Sequence, residues 1–181
     1  MPAAGKTSLS RFLAEHLGFA HIRRDGLRRS FHSIASVLGE DQGHLIGRAL
    51  DEVINDVARS VVAAGQGAVI DSNFNIPEQA EAVRALVSEL KCPCFEICLW
   101  ADAEVLRRRF IARGDPPMTD ALRPYFEMVL ARIRTPVLGP PVPTVELDTT
   151  DFAYLEAVKH DLIGDIRNAL GAPVLALHRQ R

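Results

Sequence analysis

The sequence predicts an α/β fold, a parallel sheet with helices on both faces. Three observations predict it. Apolar runs of strand length alternate with stretches of helical periodicity, the connections between them are short, and a polar cluster stands at the end of each readable strand. Ligands of open parallel sheets bind beyond the carboxyl ends of strands, so that registration also predicts where function sits. With 181 residues, 48% of them apolar, the chain can bury the core of a single domain.

The elements follow in order. After Lys6, the residues Leu9, Phe12, Leu13 and Leu17 recur at helical spacing, and Gly18 supplies a stop. "FAHI" (Phe19–Ile22) reads as a short strand. Ile46, Leu50, Val53, Ile54, Val57 and Val61 share one helix face, which ends at Gly65 and Gly67. "AVID" (Ala68–Asp71) is short and apolar, as a buried parallel strand should be. Pro77 suits a first helical turn, and Ala80, Val83, Leu86, Val87 and Leu90 carry that helix onward. "CFEICLW" (Cys94–Trp100) is the strongest strand, followed by a helix over Ala103–Arg113 and a break at "GDPP" (Gly114–Pro117). A helix through Leu122–Ile133, a proline-rich loop at Pro136–Pro143, the strand "TVEL" (Thr144–Leu147) and a helix over Phe152–Leu170 complete the chain.

Composition excludes several classes of function. The formal net charge is −2, so no strong electrostatic grip on nucleic acid is expected. Basic residues comprise 18 Arg against 3 Lys, so a single arginine carries little information. Cys92, Cys94 and Cys98 match no zinc or redox spacing and read as reduced thiols, which fits a cytoplasmic protein. No apolar stretch approaches the roughly 20 residues needed to span a bilayer, and no signal-peptide pattern is present. His21, His32 and His44 show no ligand spacing and read as surface or turn residues. Trp100 reads as core.

The opening "MPAAGKTSLS" matches the end of the phosphate-binding pattern G-x-x-x-x-G-K-[ST], in which backbone N–H groups and a helix start wrap nucleotide phosphates. Ala3, Ala4, Gly5, Lys6, Thr7 and Ser8 are then the loop residues; Lys6 would reach the β- and γ-phosphates and the Thr7 hydroxyl would hold Mg²⁺. The first glycine of the pattern falls one position before Met1. The complete loop is therefore expected to need upstream residues, an apolar strand of roughly five or six residues closing with glycine. Without that strand, neighbouring strand edges should lack a ladder, unless "APVLAL" (Ala172–Leu177) fills the slot.

Phosphoryl transfer spreads negative charge over the moving group, so it needs placed cations and a group to take the acceptor's proton. Asp71, at the end of an apolar strand, suits a Mg²⁺ shell; it can equally cap a turn at Ser72–Asn73. In "RRDGLRRSF", Asp25 and Arg28 stand three apart, on one side of a helical turn. A carboxylate accepting a hydroxyl proton beside an arginine holding phosphate is a pair a kinase requires, although an aspartate there also suits a helix N-cap.

On "PAAGKTSLSRFLAEHLG", "RRDGLRRSF", "AVIDSNFN", "EICLWADAEVLRRRFIARGD" and "TVELDTTD", nearly its whole length, the chain resembles the small P-loop kinases. That group includes zeta-toxin-like, gluconate-kinase-like and polynucleotide-kinase-like proteins, often labelled AAA-family ATPases. The resemblance implies a three-layer P-loop NTPase fold of the nucleoside-kinase-like kind over residues 1–181, with a lid around residues 104–120. It matches Asp25 to the general base, Arg28 to the substrate-side arginine, and Arg109 and Arg113 to the lid that closes over the phosphates. Those two arginines stand i, i+4; a solvated charged face would show the same spacing. The segment after Asp71 reads Ser-Asn-Phe-Asn, where such chains more often carry a small residue and then Thr or Asn, a departure that bears on substrate fit. The expected activity is transfer of the γ-phosphoryl group of ATP, with Mg²⁺, to a hydroxyl of a small-molecule acceptor. Alternatives are an ATP-binding regulator without transfer activity and a kinase of polynucleotide ends.

Overall fold

The computed structural model describes residues 3–31, 43–74, 77–114, 122–130 and 136–171. In chain order these form α1 (Lys6–Leu17), β1 (Ala20–Arg23), α2 (Arg24–Ser30), α3 (Gly43–Ala63), β2 (Ala68–Asp71), α4 (Pro77–Leu90), β3 (Glu96–Trp100), α5 (Ala103–Arg113), α6 (Leu122–Leu130), β4 (Thr144–Asp148) and α7 (Phe152–Leu170). The expected "APVLAL" strand, most of "GDPP" and the last residues of the Leu122–Ile133 helix lie outside the described residues, as does part of the expected lid.

All the strand pairing is parallel, as predicted, and among the described residues it comes as two pairs, β1 with β2 and β3 with β4. Helices cover both faces. Along β2, Val69 packs with the cluster of Leu9, Leu13, Leu99, Leu106, Leu147 and Leu155, whereas its neighbours Ala68 and Ile70 pack with Ile22, Ile54, Ala58 and Leu86. Successive strand residues point to opposite faces, so this alternation places apolar helices on each side of one strand. Fully burying a leucine such as Leu50, Leu86 or Leu106 stabilises by about 1.5–3 kcal/mol.

Two strand starts differ from expectation for identifiable reasons, and β1 and β4 each run one residue beyond their expected ends, to Arg23 and Asp148. Gly18 ends α1 in the left-handed region at φ 70°, and the Phe19 N–H turns back to Ala14 O at 2.9 Å, so Phe19 closes the helix and the ladder starts at Ala20. The Phe19 ring then lies over Gly67, where a Cβ would come within 2.4 Å of it, so any larger residue would have to displace the ring. At β3, pairing begins at Glu96 opposite Thr144 rather than at Cys94. Pro143 precedes Thr144 and has no N–H to extend the ladder, although its carbonyl still receives the Glu96 N–H at 2.9 Å.

The Glu96 carboxylate accepts from the backbone N–H of Val137 and, at 2.9 Å, of Leu138, tying the proline-rich loop to the sheet. Burial, reinforced by Glu96, pushes the neighbouring Cys98 thiol up to about 12. Burial likewise raises Cys94, and all three cysteines are reduced. Trp100 is half-buried rather than fully in the core.

Candidate active site

The start of α1 is shaped by two left-handed residues, Ala3 at φ 58° and Gly5 at φ 84°, around a fully buried Ala4. Gly5 is the N-cap, and no side chain takes up the first amides of the helix, which leaves helix-start N–H groups for a ligand. The glycine is required twice over. An L side chain is strained at that φ, and a Cβ would meet Phe152 Cε1 at 3.0 Å and Leu155 Cδ2 at 3.4 Å.

In the first turn of α1, Thr7 Oγ1 donates to Asp71 Oδ2 at 2.7 Å, across 64 residues of sequence. Asp71 is only 9% exposed at the carboxyl end of β2, and among the described residues its carboxylate is hydrogen-bonded to the phosphate-loop helix rather than to the turn after it. A hydroxyl and a carboxylate oxygen in contact are both hard oxygen ligands, the donor type that Mg²⁺ takes with phosphate oxygens. Burial lowers the pKa of Lys6 from its usual 10.5, while Asp71 and then Asp25 oppose the shift and Arg113 adds to it. Lys6, Asp71, Asp25 and Arg113 thus fall within one electrostatic neighbourhood.

Asp25 stands exposed in the first turn of α2. It is not the cap of that helix: the N-cap is Arg23, and no side chain caps it. Arg28 is exposed one turn further on, and Ser8 is exposed on α1. Beneath Asp25, the adjacent Arg24 donates from Nε to Asp51 Oδ1 at 2.8 Å and from a terminal nitrogen to Gly47 O at 3.3 Å. Gln79 Nε2 reaches the other Asp51 oxygen at 3.2 Å. The ion pair is largely sheltered, with side chains 16% and 20% exposed, and it joins α2, α3 and α4.

Arg109 and Arg113 take different positions despite their helical spacing. Arg109 donates to Thr149 O at 2.7 Å and Thr150 O at 2.9 Å, and its guanidinium lies 3.7 Å from the centre of the Phe152 ring. It therefore lies beside the β4–α7 connection, next to an open cleft of about 430 Å³ lined by Val105, Arg108, Arg109, Ala112 and Thr150. Arg113 is exposed at the end of α5, on the side that Lys6 senses.

His21 departs from its reading as a surface or turn residue. It is half-buried within β1, and its Nε2 is hydrogen-bonded to the buried Ser10 hydroxyl at 2.9 Å, directly behind the phosphate-loop helix. Burial lowers its pKa from the usual 6.5. His32 and the side chain of His44 lie outside the described residues. The carboxylates at the end of β4 also have structural duties: Asp148 accepts from Thr150 N and Asp151 caps α7 through Ala153 N. Sequence reasoning missed Phe152, Asp51 and Gln79. Asp51 had one usable signal, a charge beside Leu50 and Ile54 on an otherwise apolar helix stripe.

Among the described residues, no group of three or more His, Cys, Asp or Glu side chains could hold a metal by itself, and no helix is long and apolar enough to cross a membrane. Fold and helix-start geometry together define a kinase-like P-loop domain. Residues 1–135 match the AAA_33 family, described as an AAA domain, and the chain belongs to that family. It is 29% identical over 119 residues to an adenylate kinase of Synechococcus sp. (strain CC9902), a match that takes in 62% of this chain and 65% of the relative's length. The structure is similar to that of a candidate kinase from Chloroflexus aurantiacus J-10-fl, with a TM-score of 0.76 at 22% identity, covering 93% of each chain. It is also similar to a gluconokinase from Sinorhizobium meliloti 1021, with a TM-score of 0.59 at 17% identity, covering 94% of this chain and 90% of the other. At such identities the two structures speak for the fold.

Proposed function

We propose that this chain transfers the γ-phosphoryl group of ATP to a hydroxyl of a small molecule. The observation that carries the reading is the 2.7 Å contact of Thr7 with Asp71, made beside a half-buried Lys6 that feels the charges of both Asp71 and Asp25. The helix-start amides and Lys6 would bind the phosphates; Thr7 and Asp71 would hold Mg²⁺. Mg²⁺, when bound, supplies charge neutralisation on the phosphate oxygens.

Every other part falls to the chain. Lys6 stabilises charge that builds on the transferred group, and its burial strengthens that attraction by excluding water. Asp25 accepts the acceptor's hydroxyl proton as its oxygen forms a bond to phosphorus and the bond from phosphorus to the β–γ bridging oxygen breaks, leaving ADP. Arg28 and Arg113, both exposed near that helix, would steady the phosphoryl and acceptor groups. The named activities of the Synechococcus and Sinorhizobium relatives, both kinases, support phosphoryl transfer as the reaction class.

The test is ADP release measured without acceptor and across a panel of hydroxyl compounds, for the parent and for Asp25→Asn. The amide keeps nearly the same shape and cannot take the proton. Transfer should fall by about 10²–10⁴-fold while ATP affinity and melting temperature hold. Undiminished transfer by the Asn variant would remove Asp25 from the mechanism, and ADP release indifferent to every acceptor would favour an ATP-binding regulator.

A further inference from the structure

Two oxygens in the loop that leaves β2 stand apart from the rest of the site. The Ser72 hydroxyl oxygen and the Asn73 carboxamide oxygen are shielded from solvent, and neither has a hydrogen-bond partner. Shielded polar atoms in folded proteins are overwhelmingly partnered, so two orphans in successive residues call for an explanation at this position. The next residue, Phe74, adopts φ 49°, a left-handed conformation that side-chain-bearing residues seldom take. Strained backbone of this kind persists where surrounding structure enforces it, and it concentrates at ligand sites.

The location gives the orphans a meaning. They directly follow Asp71, and β2 pairs in register with β1 so that Asp71 stands opposite Arg23, the residue from which α2 departs with Asp25. The pair therefore follows the carboxyl end of β2, whose parallel neighbour β1 leads into the helix that carries the proposed base. Both side chains are half-buried.

We infer that Ser72 and Asn73 form a subsite for a second hydroxyl of the acceptor, which makes the acceptor a compound bearing hydroxyls on neighbouring carbons. This rests on the proposed kinase reading, because it takes the first hydroxyl to be the one facing Asp25. Two adjacent oxygens seek donors. Arg23 and Arg28 on the facing strand and helix are offset by Asp71 and Asp25, and Arg24 is paired with Asp51, so the choice of a hydroxyl over an ammonium donor is what the amino analogue below tests. A hydroxyl can also accept from the Ser72 O–H, satisfying both partners.

Two measurements test the inference. In ligand-free protein, Ser72→Ala and Asn73→Leu should leave the melting temperature unchanged or raise it, since removing an unpartnered buried polar group relieves a penalty. A clear fall would show that these atoms have internal partners and would overturn the subsite. The second measurement is binding, by thermal shift with a non-hydrolysable ATP analogue present. The probes are ribose, gluconate, glycerol, myo-inositol and a ribonucleoside, each beside a deoxy analogue lacking one hydroxyl of the pair and an amino analogue. The parent should favour at least one intact diol by roughly ten-fold or more, and both variants should lose that preference. No preference in the parent, a preference retained in the variants, or tighter binding of an amino analogue would each overturn it. A diol preference without ADP formation would sink the kinase reading and spare the subsite; ADP formation without that preference would do the reverse.

Discussion

On the proposed nucleotide side, the functional groups hold one another. Thr7 is hydrogen-bonded to Asp71, Lys6 is half-buried within reach of that carboxylate's charge, and Phe152 and Leu155 pack directly against Gly5. On the proposed acceptor side, Asp25 and Arg28 are exposed, and α2 is fixed from behind by Arg24, Asp51 and Gln79, residues with no share in the chemistry. The difference follows from what each side must recognise. A triphosphate is the same in every reaction, so its site can be assembled in advance; a variable acceptor needs reachable groups on a firmly seated support. Damage on the first side should therefore appear in ligand binding, and damage behind the second should appear in stability.

The largest effect expected from breaking this contrast is at Lys6. Lys6→Ala removes a charge-assisted contact worth about 1.5–3 kcal/mol, so ATP affinity should fall ten-fold or more in a calorimetric titration. Unchanged affinity would refute the phosphate-loop assignment. Next is Asp51→Ala, which strands the sheltered Arg24 and the Gln79 amide. Allowing for partial solvent access, it should lower stability by about 1–3 kcal/mol in urea denaturation, with ATP affinity nearly intact. If ATP binding fell as far as stability, the two sides would not be separable.

A smaller effect concerns alkaline pH. Burial depresses the pKa of Lys6 in the folded state below 10.5, so the ammonium is lost at lower pH than on an unfolded chain. ATP affinity should decline as pH rises toward 10.5, and Lys6→Ala should lack that slope. Ligand-free stability should do the opposite, because between the folded and unfolded pKa the unfolded chain binds more protons. The smallest effect is at His21. Its pKa is also depressed, so its contribution is complete above the unfolded value of 6.5 and is lost as pH falls through the folded one. Melting temperature should drop on acidification below 6.5, and His21→Gln should flatten part of that decline; an unchanged profile would assign the acid sensitivity elsewhere.

Much of the architecture was legible because it depends on local periodicity. "AVID", the Ala103–Arg113 helix and the Phe152–Leu170 helix occur at their expected bounds. The start of β1 was displaced by a local event that periodicity does not show, the Phe19 N–H closing α1 onto Ala14 O, and that of β3 by Pro143, which no window around that strand contains. Where chemistry dictates residue type, the sequence singled out two residues, Thr7 and Asp71, that meet across the fold. It could not foresee that Arg109 would spend its hydrogen bonds on the carbonyls of Thr149 and Thr150 and stack on Phe152, because i, i+4 spacing sets a shared helix face and says nothing of what that face meets. Nor does any spacing join residues 24, 51 and 79, which three separate helices bring together.

The raised thiol of Cys98 makes the sheet its own clock. Thiol reagents attack thiolate, and with burial and Glu96 holding this group at about 12, almost none forms at neutral pH while β3 is in place. Alkylation of Cys98 is consequently gated by separation of β3 from its surroundings, which exposes the sulfur to water and restores an ordinary thiol. Its labelling rate, followed by mass on the peptide that carries it, counts opening events of the β3–β4 pair.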